Sequence, residues 1–539
     1  MLGFFKTNLH ILIFTVLVAV ISGWIHIYGL INYKTDYSAL GTQANLHYVK
    51  EETYAYAAQV QQLLRGSTVG DSYIWEYDNT ASPYLGEIAS IIPLAILSKL
   101  SNSVSFAFIA ADFIFPALLF LLIYTFLKRF SYKNNFSIVA SLAVVITPFF
   151  SMLFPLFSHN ETVLTGVANY PIFFTRTPHP QISSIFLFLN IFLTSLVLTN
   201  QNKKLLILWI LTIIASFYSS IYVSSTVIIG SLLVSLFFFR RINISKLLPL
   251  AIIFLISVLP WAINYFNLLP LFQKSDFILR STFEKNLIFP LQLRYIFLGG
   301  LTFIVCKKSS LLKVIFLYIL AAAFIADAHQ IIISRNIEAD HWISRILAPI
   351  TTLSLFLLLD RLISNLPSFS KKLIWPSASL IIILFGLFTQ ISYTKIKASE
   401  FKKNSKEREV LEQINSKTVK NNVIGAGDID LNNYISGASG RFSYLGPGDR
   451  TLASSQEQSV RVCDLIRSFE KVGKSDNINK GSIIRYILGY QAFKNQDMVD
   501  EMLKSVKTCS NNLDVPATYK LDYLLIYDEK SQEIELLNL

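Results

Sequence analysis

Two adjacent carboxylates, Glu51 and Glu52, open the stretch EETYAYAAQVQQLLR, and Gly66 follows it. Tyr56, Val60, Leu63 and Leu64 recur at the spacing of one helical face, so Glu51 to Arg65 reads as an amphipathic helix closed by Gly66. Glu52 precedes Tyr56 by four residues and shares its side, while Glu51 is turned about 100° away. Acids in a first helical turn complement the helix dipole, and that alone accounts for such a pair. A carboxylate fixed there could also act as a general base, taking a proton from a hydroxyl as it attacks an activated sugar. Around the pair stand Asp36, Asp71, Glu76 and Asp78, with Tyr33, Tyr37, Tyr48, Tyr54, Tyr73, Trp75 and Tyr77. Such rings suit sugar faces and membrane interfaces alike.

Two arginines offer the complementary chemistry. Arg176 lies in FFTRTPHPQ and Arg345 in HWISRILAP. A guanidinium is always charged and bidentate, which suits it to clamp a leaving phosphate; at a membrane edge it also snorkels to lipid phosphate. His159, His179, His329 and His341 fall near the same face as Glu161, Asp327, Glu338 and Asp340, which suggests one aqueous cavity lined by His341, His179 and Asp340. No tight ligand spacing such as H-E-x-x-H occurs, so no metal site is assigned. Asp112 sits inside an apolar run, where an acid is a functional or packing-specific group.

The elements that must position these residues are membrane helices. The 539-residue chain is 53% hydrophobic and 15% charged, with a mean hydropathy of +0.49. Soluble domains carry roughly 25% charge. A spanning helix needs about 20 apolar residues. Such runs recur at Leu9 to Ile31, Val104 to Leu127, Phe136 to Phe157, Gln181 to Thr199, two between Leu205 and Phe239 broken around Tyr218 to Ser220, then Leu247 to Phe266, Leu287 to Cys306, Leu311 to Asp327, Ile343 to Ile363 and Leu373 to Ser392. That makes eleven. Leu85 to Leu100 is marginal in length and reads as an interfacial or re-entrant helix.

Charge sets the orientation. With the N-terminus inside, the inner connections hold 15 basic residues and one acid, Asp360, whereas the rest of the chain before Tyr393 holds 11 basic and 14 acidic residues. The positive-inside rule then chooses N-in and C-out. The net charge of +12 therefore reads as an orientation signal and not as a nucleic-acid footprint. The first run reads as an uncleaved signal anchor. Residues 1–392 form the expected transmembrane part, with 32–100 as its first extracytoplasmic loop.

From Ser399 the pattern turns soluble, and 393–539 reads as an extracytoplasmic α/β domain. It has a charged helix, a strand at NNVIGAG, a Gly-rich loop LGPGDR, helices at Ser455 to Phe469 and Asp497 to Val506, and a strand at Tyr523 to Tyr527. Gly425 and Gly427 follow a strand, but the third glycine of a dinucleotide site is missing. Cys463 and Cys509 lie where a disulfide is permitted, though spacing alone does not pair them.

The order of a basic N-terminus, one span, an outer loop with an acidic pair, then PYLGEIASIIPLAILSKL before the second span, resembles the GT-C superfamily of integral-membrane glycosyltransferases, of the protein mannosyltransferase or aminoarabinose transferase kind. The resemblance covers the first 130 residues in pattern and the later spans only in topology. It implies a multi-pass plasma-membrane enzyme and a polyprenyl-phosphate or diphosphate sugar donor, with a glycan, lipid or protein as acceptor. It allows a divalent cation without requiring one. Glu51 takes the place of the family's usual Asp and Glu52 that of its Glu, with Asp36 as the fallback. Arg345 and Pro349 match a late-span "R-Y-x-x-P" stretch, in which Ile346 replaces the aromatic. Arg345 and Arg176 are then the donor-phosphate residues.

Two other classes share the composition. A transporter or lipid-linked glycan flippase would place polar groups near mid-membrane and show paired broken helices or an internal repeat. A polysaccharide polymerase or ligase would place its key residues in a large late outer loop, whereas here the long loop comes first.

Overall fold

The computed structural model describes residues 2–40, 49–146, 176–200, 202–238, 244–276, 292–305, 309–333, 339–364, 368–397, 402, 405–489, 491–507, 509, 517–527 and 533–539. The first apolar run, read as one span, is two helices, α1 (Leu2–Ser22) and α2 (Trp24–Tyr33), bent by 59°. Phe113 fills the bend at Gly23, where an added Cβ would lie 2.4 Å from its ring. Only glycine admits that approach.

The outer-loop helix follows as α3 (Val49–Leu64), closed by Gly66 at φ +93°. Then come α4 (Ile88–Ser101), α5 (Val104–Arg129), α6 (Asn134–Ile146) and α7 (Gln181–Thr199). The broken pair is α8 (Lys203–Phe217) and α9 (Ile221–Phe237), separated at Tyr218–Ser220 as the sequence suggests. The α4 segment starts at that break. Ala89 N donates to the Tyr218 carbonyl at 2.7 Å, and Ser90 Oγ to that of Ser219 at 3.0 Å. An orphan amide of one helix start thereby satisfies an orphan carbonyl of another helix end.

The later helices are α10 (Ile244–Ser275), α11 (Leu293–Val305), α12 (Ser310–Ile333), α13 (Ala348–Ile363) and α14 (Ser368–Lys397). Among the described residues, six helices are long and apolar enough to cross a membrane, or seven with the bent pair. The sequence reading counts eleven. The other four runs carry α6, α8, α9 and α11, of 13 to 17 residues each. A full crossing takes about 20; the run that starts with α6 continues into residues outside the description. Within the bundle, Tyr318 of α12 donates to Asn190 of α7, and Trp209 Nε1 of α8 donates to Thr194 of α7 at 2.8 Å. Such bonds replace the hydrophobic driving force that apolar surroundings remove.

The C-terminal segment contains α15 (Ser405–Lys417), β1 (Val423–Ala426), α16 (Ile429–Tyr434), β2 (Phe442–Ser443), α17 (Ser455–Lys471), α18 (Lys480–Leu488), α19 (Gln496–Lys507), β3 (Tyr523–Tyr527) and β4 (Ile534–Asn538). The strands form one sheet in the order β2-β1-β3-β4. β1 is parallel to β2 and to β3, and β4 runs antiparallel at the edge. Cys463 on α17 is joined to Cys509, with Cα atoms 5.2 Å apart.

This segment has a core of its own, with Val423, Tyr444, Leu465, Ile483 and Leu524, and shares a second with the first loop. In the shared core Tyr54, Tyr56 and Val60 of α3 meet Ile91 of α4, Phe108 of α5, Val410 of α15 and Leu525 of β3. Polar pairs close the seam. Asp71 accepts from Tyr73 N and Leu452 N at 2.8 and 3.0 Å and from the Thr451 hydroxyl. Arg461, wholly buried, donates to Glu76 and to Glu457 at 2.8 Å each.

Replacing Arg461 with Ala leaves two carboxylates facing one another without their counter-ion. Breaking such a buried pair costs about 3–5 kcal/mol, and the partial exposure of Glu76 places this one near the lower end. The expected result is a lower thermal unfolding midpoint for Arg461→Ala in detergent; a midpoint equal to wild type would show that the pair does not hold the seam.

Candidate functional site

The centre of the site is His179, in the turn before α7, 2% exposed and with neither ring nitrogen hydrogen-bonded among the described residues. Buried polar atoms of that kind are rare in folded proteins and call for an explanation. Its ring meets Tyr56 of α3 edge-on at 5.5 Å between centroids, and its Nε2 lies 3.9 Å from Glu87 Oε1. Burial first, then the charges of Arg345, Arg176 and Arg450, hold the imidazole well below its ordinary pKa. At neutral pH it is uncharged, able to donate from one nitrogen and accept at the other.

Arg345 reaches the site because the helix there is opened. One α-helical turn, Ala339–Trp342, runs into a π turn, Ile343–Leu347, before α13 begins. Pro349 has no N–H and its ring crowds the carbonyl four residues back, which is that of Arg345, so the regular ladder cannot close. Arg345 is buried; its Nη2 donates to His341 Nε2 at 2.5 Å, and its guanidinium lies 5.3 Å from the centroid of the Tyr222 ring. Because His341 accepts at Nε2, its Nδ1 carries the proton and donates to Tyr222 Oη at 3.0 Å. Trp342 backs this group, packed between Tyr222 and His329 at 4.8 and 4.6 Å.

Arg176 opens the turn that carries His179. Arg450 arrives from the C-terminal segment, and nothing in the local sequence singles it out. It ends the LGPGDR loop, which Gly448 pins by donating to the Tyr486 carbonyl at 2.9 Å. A Cβ on Gly448 would stand 2.5 Å from the Ile487 oxygen, so a glycine is required there. Tyr84 Oη donates to the Asp449 carbonyl at 2.8 Å, and Arg450 lies 5.6 Å from the Tyr84 ring. Glu87, Tyr84 and Tyr222 were likewise not anticipated.

The carboxylates distribute differently. Glu51 and Glu52 fall on α3, but their side chains lie outside the described residues, as does that of Asp340. His159, Glu161 and Glu338 also lie outside them. Asp36 is ion-paired with Arg408 of α15. Asp71 and Glu76 are committed to the seam. Among the described residues no three His, Cys, Asp or Glu side chains stand close enough to share a metal ion. Arg345 and His341 thus meet beside the Tyr222 ring, and the charges of Arg345, Arg176 and Arg450 bear on His179 beside Tyr56, a setting suited to an anion with hydrogen-bonding oxygens.

The depressed pKa of His179 links stability to pH. The unfolded imidazole takes up a proton near pH 6.5 and the folded one does not, so stability is retained above that value and lost as pH falls below it. The loss is at most about 1.4 kcal/mol per pH unit. His179→Gln, which stays neutral, should lose less stability than wild type between pH 7 and 5 in thermal unfolding; parallel curves would place the charged imidazole in the folded protein.

No family model matches the sequence, and no curated protein matches it. Among solved structures the chain is similar to ArnT from Cupriavidus metallidurans bound to undecaprenyl phosphate, at 10% identity over 78% of this chain and 86% of that one, with a TM-score of 0.46. It is similar also to the Archaeoglobus fulgidus oligosaccharyltransferase in the apo form, at 13% identity over 97% of this chain and 70% of that one, with a TM-score of 0.41. These likenesses concern the course of the chain and carry no residue role across.

Proposed function

We propose that this protein is an integral-membrane glycosyltransferase of the GT-C kind, moving a sugar from a polyprenyl-phosphate or diphosphate donor to an acceptor on the extracytoplasmic face. The observation that carries the reading is the buried His179, neither ring nitrogen of which is hydrogen-bonded among the described residues and on which the charges of Arg345, Arg176 and Arg450 bear. A phosphate would complement the charge of these arginines and give the imidazole a hydrogen-bond partner. In this reading the chain crosses the membrane eleven times, N-in and C-out, with 1–392 as the transmembrane part and 393–539 as the extracytoplasmic domain. The Cys463–Cys509 bridge supports an oxidising side for that domain.

In the proposed mechanism, a first-loop carboxylate takes the proton of the acceptor hydroxyl as its oxygen attacks the anomeric carbon. The bond from that carbon to the phosphate oxygen breaks, and Arg345, Arg176 and Arg450 stabilise the leaving phosphate. Glu51 and Glu52 are the leading bases, because α3, which they open, touches His179 through Tyr56. Asp36 would first have to leave Arg408.

The test uses purified protein and a panel of labelled polyprenyl-phosphate and diphosphate sugars. The Glu51→Gln, Glu52→Gln double variant should lose roughly 100-fold or more of transfer while still binding the lipid. Arg345→Ala should weaken binding as well as transfer. Transfer unchanged in the double variant would sink the assignment of the base, and wild-type protein that neither binds nor turns over any of the lipids would sink the function.

A further inference from the structure

Asp112 is buried within the α5 span and takes no part in the mechanism above, yet it is the hub of a polar chain crossing three elements. Its Oδ2 accepts from His26 Nε2 of α2 at 2.7 Å. Its Oδ1 accepts from Gln181 Nε2 at 2.7 Å and from the Thr177 hydroxyl, which stands 2.8 Å from Gln181 Oε1. On the far side, His26 Nδ1 meets Tyr37 Oη at 2.6 Å. With His26 donating from Nε2 to Asp112, a neutral imidazole accepts at Nδ1 from the Tyr37 hydroxyl. The Tyr37 ring lies against α2 at Gly29, where a Cβ would come within 1.9 Å of it.

Thr177 and Gln181 flank His179 and follow Arg176. We propose that Asp112 is a positioning residue: it anchors the turn from Arg176 to Gln181 to α5, and is itself oriented by His26 and Tyr37. Three elements thereby set where Arg176 and His179 stand, and this extends the reading of those residues as part of a donor-phosphate site. Buried acids in spans are costly unless paired, and every described bond of Asp112 goes to this turn or to the residue that orients it.

The chain predicts an asymmetry between two substitutions. Asp112→Asn can keep its oxygen toward Thr177 and Gln181 while its amide donates to His26, whose proton moves to Nδ1, with Tyr37 now accepting. Every contact survives, and only those of His26 with residue 112 and with Tyr37 reverse their direction. Asp112→Ala removes the anchor itself, and Thr177→Val removes one of its bonds without disturbing α5.

Two readouts on the full-length protein in detergent separate this inference from the functional one. Deuterium uptake of peptides covering Arg176 to Gln181 should rise in Asp112→Ala and in Thr177→Val and stay at the wild-type level in Asp112→Asn. Undecaprenyl phosphate, used as the probe, should bind Asp112→Ala roughly 10- to 100-fold more weakly, by the misplacement of its ligands, and Asp112→Asn within about threefold of wild type. Uptake unchanged in both Asp112→Ala and Thr177→Val overturns the positioning role, as does Asp112→Asn behaving like Asp112→Ala in both readouts. If wild type does not bind the probe, the donor-phosphate reading fails, while deuterium uptake still decides whether Asp112 holds the turn.

Discussion

Three arginines whose charges bear on one buried imidazole are the constraint on which this structure turns. Arg176, Arg345 and Arg450 come from a turn, a π turn and a loop of the C-terminal segment, and their charges bear on one buried imidazole. Like charges in a water-poor setting repel strongly. Among the described residues, Glu87 is the carboxylate beside that imidazole, and at 3.9 Å it is beyond hydrogen-bond distance. The surrounding scaffold holds these residues in place. Pro349 opens the π turn, Gly448 pins the loop, and Asp112 ties down the turn.

Three further carboxylates of the first loop, Asp36, Asp71 and Glu76, serve the scaffold. Asp36, Asp71 and Glu76 appear in the sequence as one acidic neighbourhood with Glu51 and Glu52. In space they disperse along the seam with the C-terminal segment, to Arg408, to Leu452 and Thr451, and to Arg461. A charge committed to a buried fastener is poorly placed to cycle a proton. The same contacts fasten the segment that carries Arg450 to the first loop.

Local pattern carried much of the fold. Periodicity and apolar length place α7 at Gln181–Thr199, the break at Tyr218–Ser220 and the strand at Tyr523–Tyr527 to the residue. Glycine chemistry marks the end of α3 at Gly66. The bend at Gly23 was hidden, because it depends on Phe113 of another helix. Arg450 was hidden for the same reason: two glycines and a proline announce a tight loop, but nothing local says which membrane turn that loop will meet. The sequence reading names Arg345 and His341 separately, and their bond follows from standing four residues apart on one helix face. His179 could be placed near the site, whereas its lack of a hydrogen-bond partner follows only from three-dimensional packing.

The central claim is that these arginines form one phosphate site at the junction of the first loop, the membrane helices and the C-terminal segment. The most direct measurement is an experimental structure of the full-length protein with undecaprenyl phosphate bound. The account predicts the phosphate within hydrogen-bond distance of Arg345, with His179 and at least one of Arg176 and Arg450 contacting it. A phosphate bound instead among the basic connections at Lys128 to Lys133 or Lys203 and Lys204, with the Arg345 cluster unengaged, would contradict it.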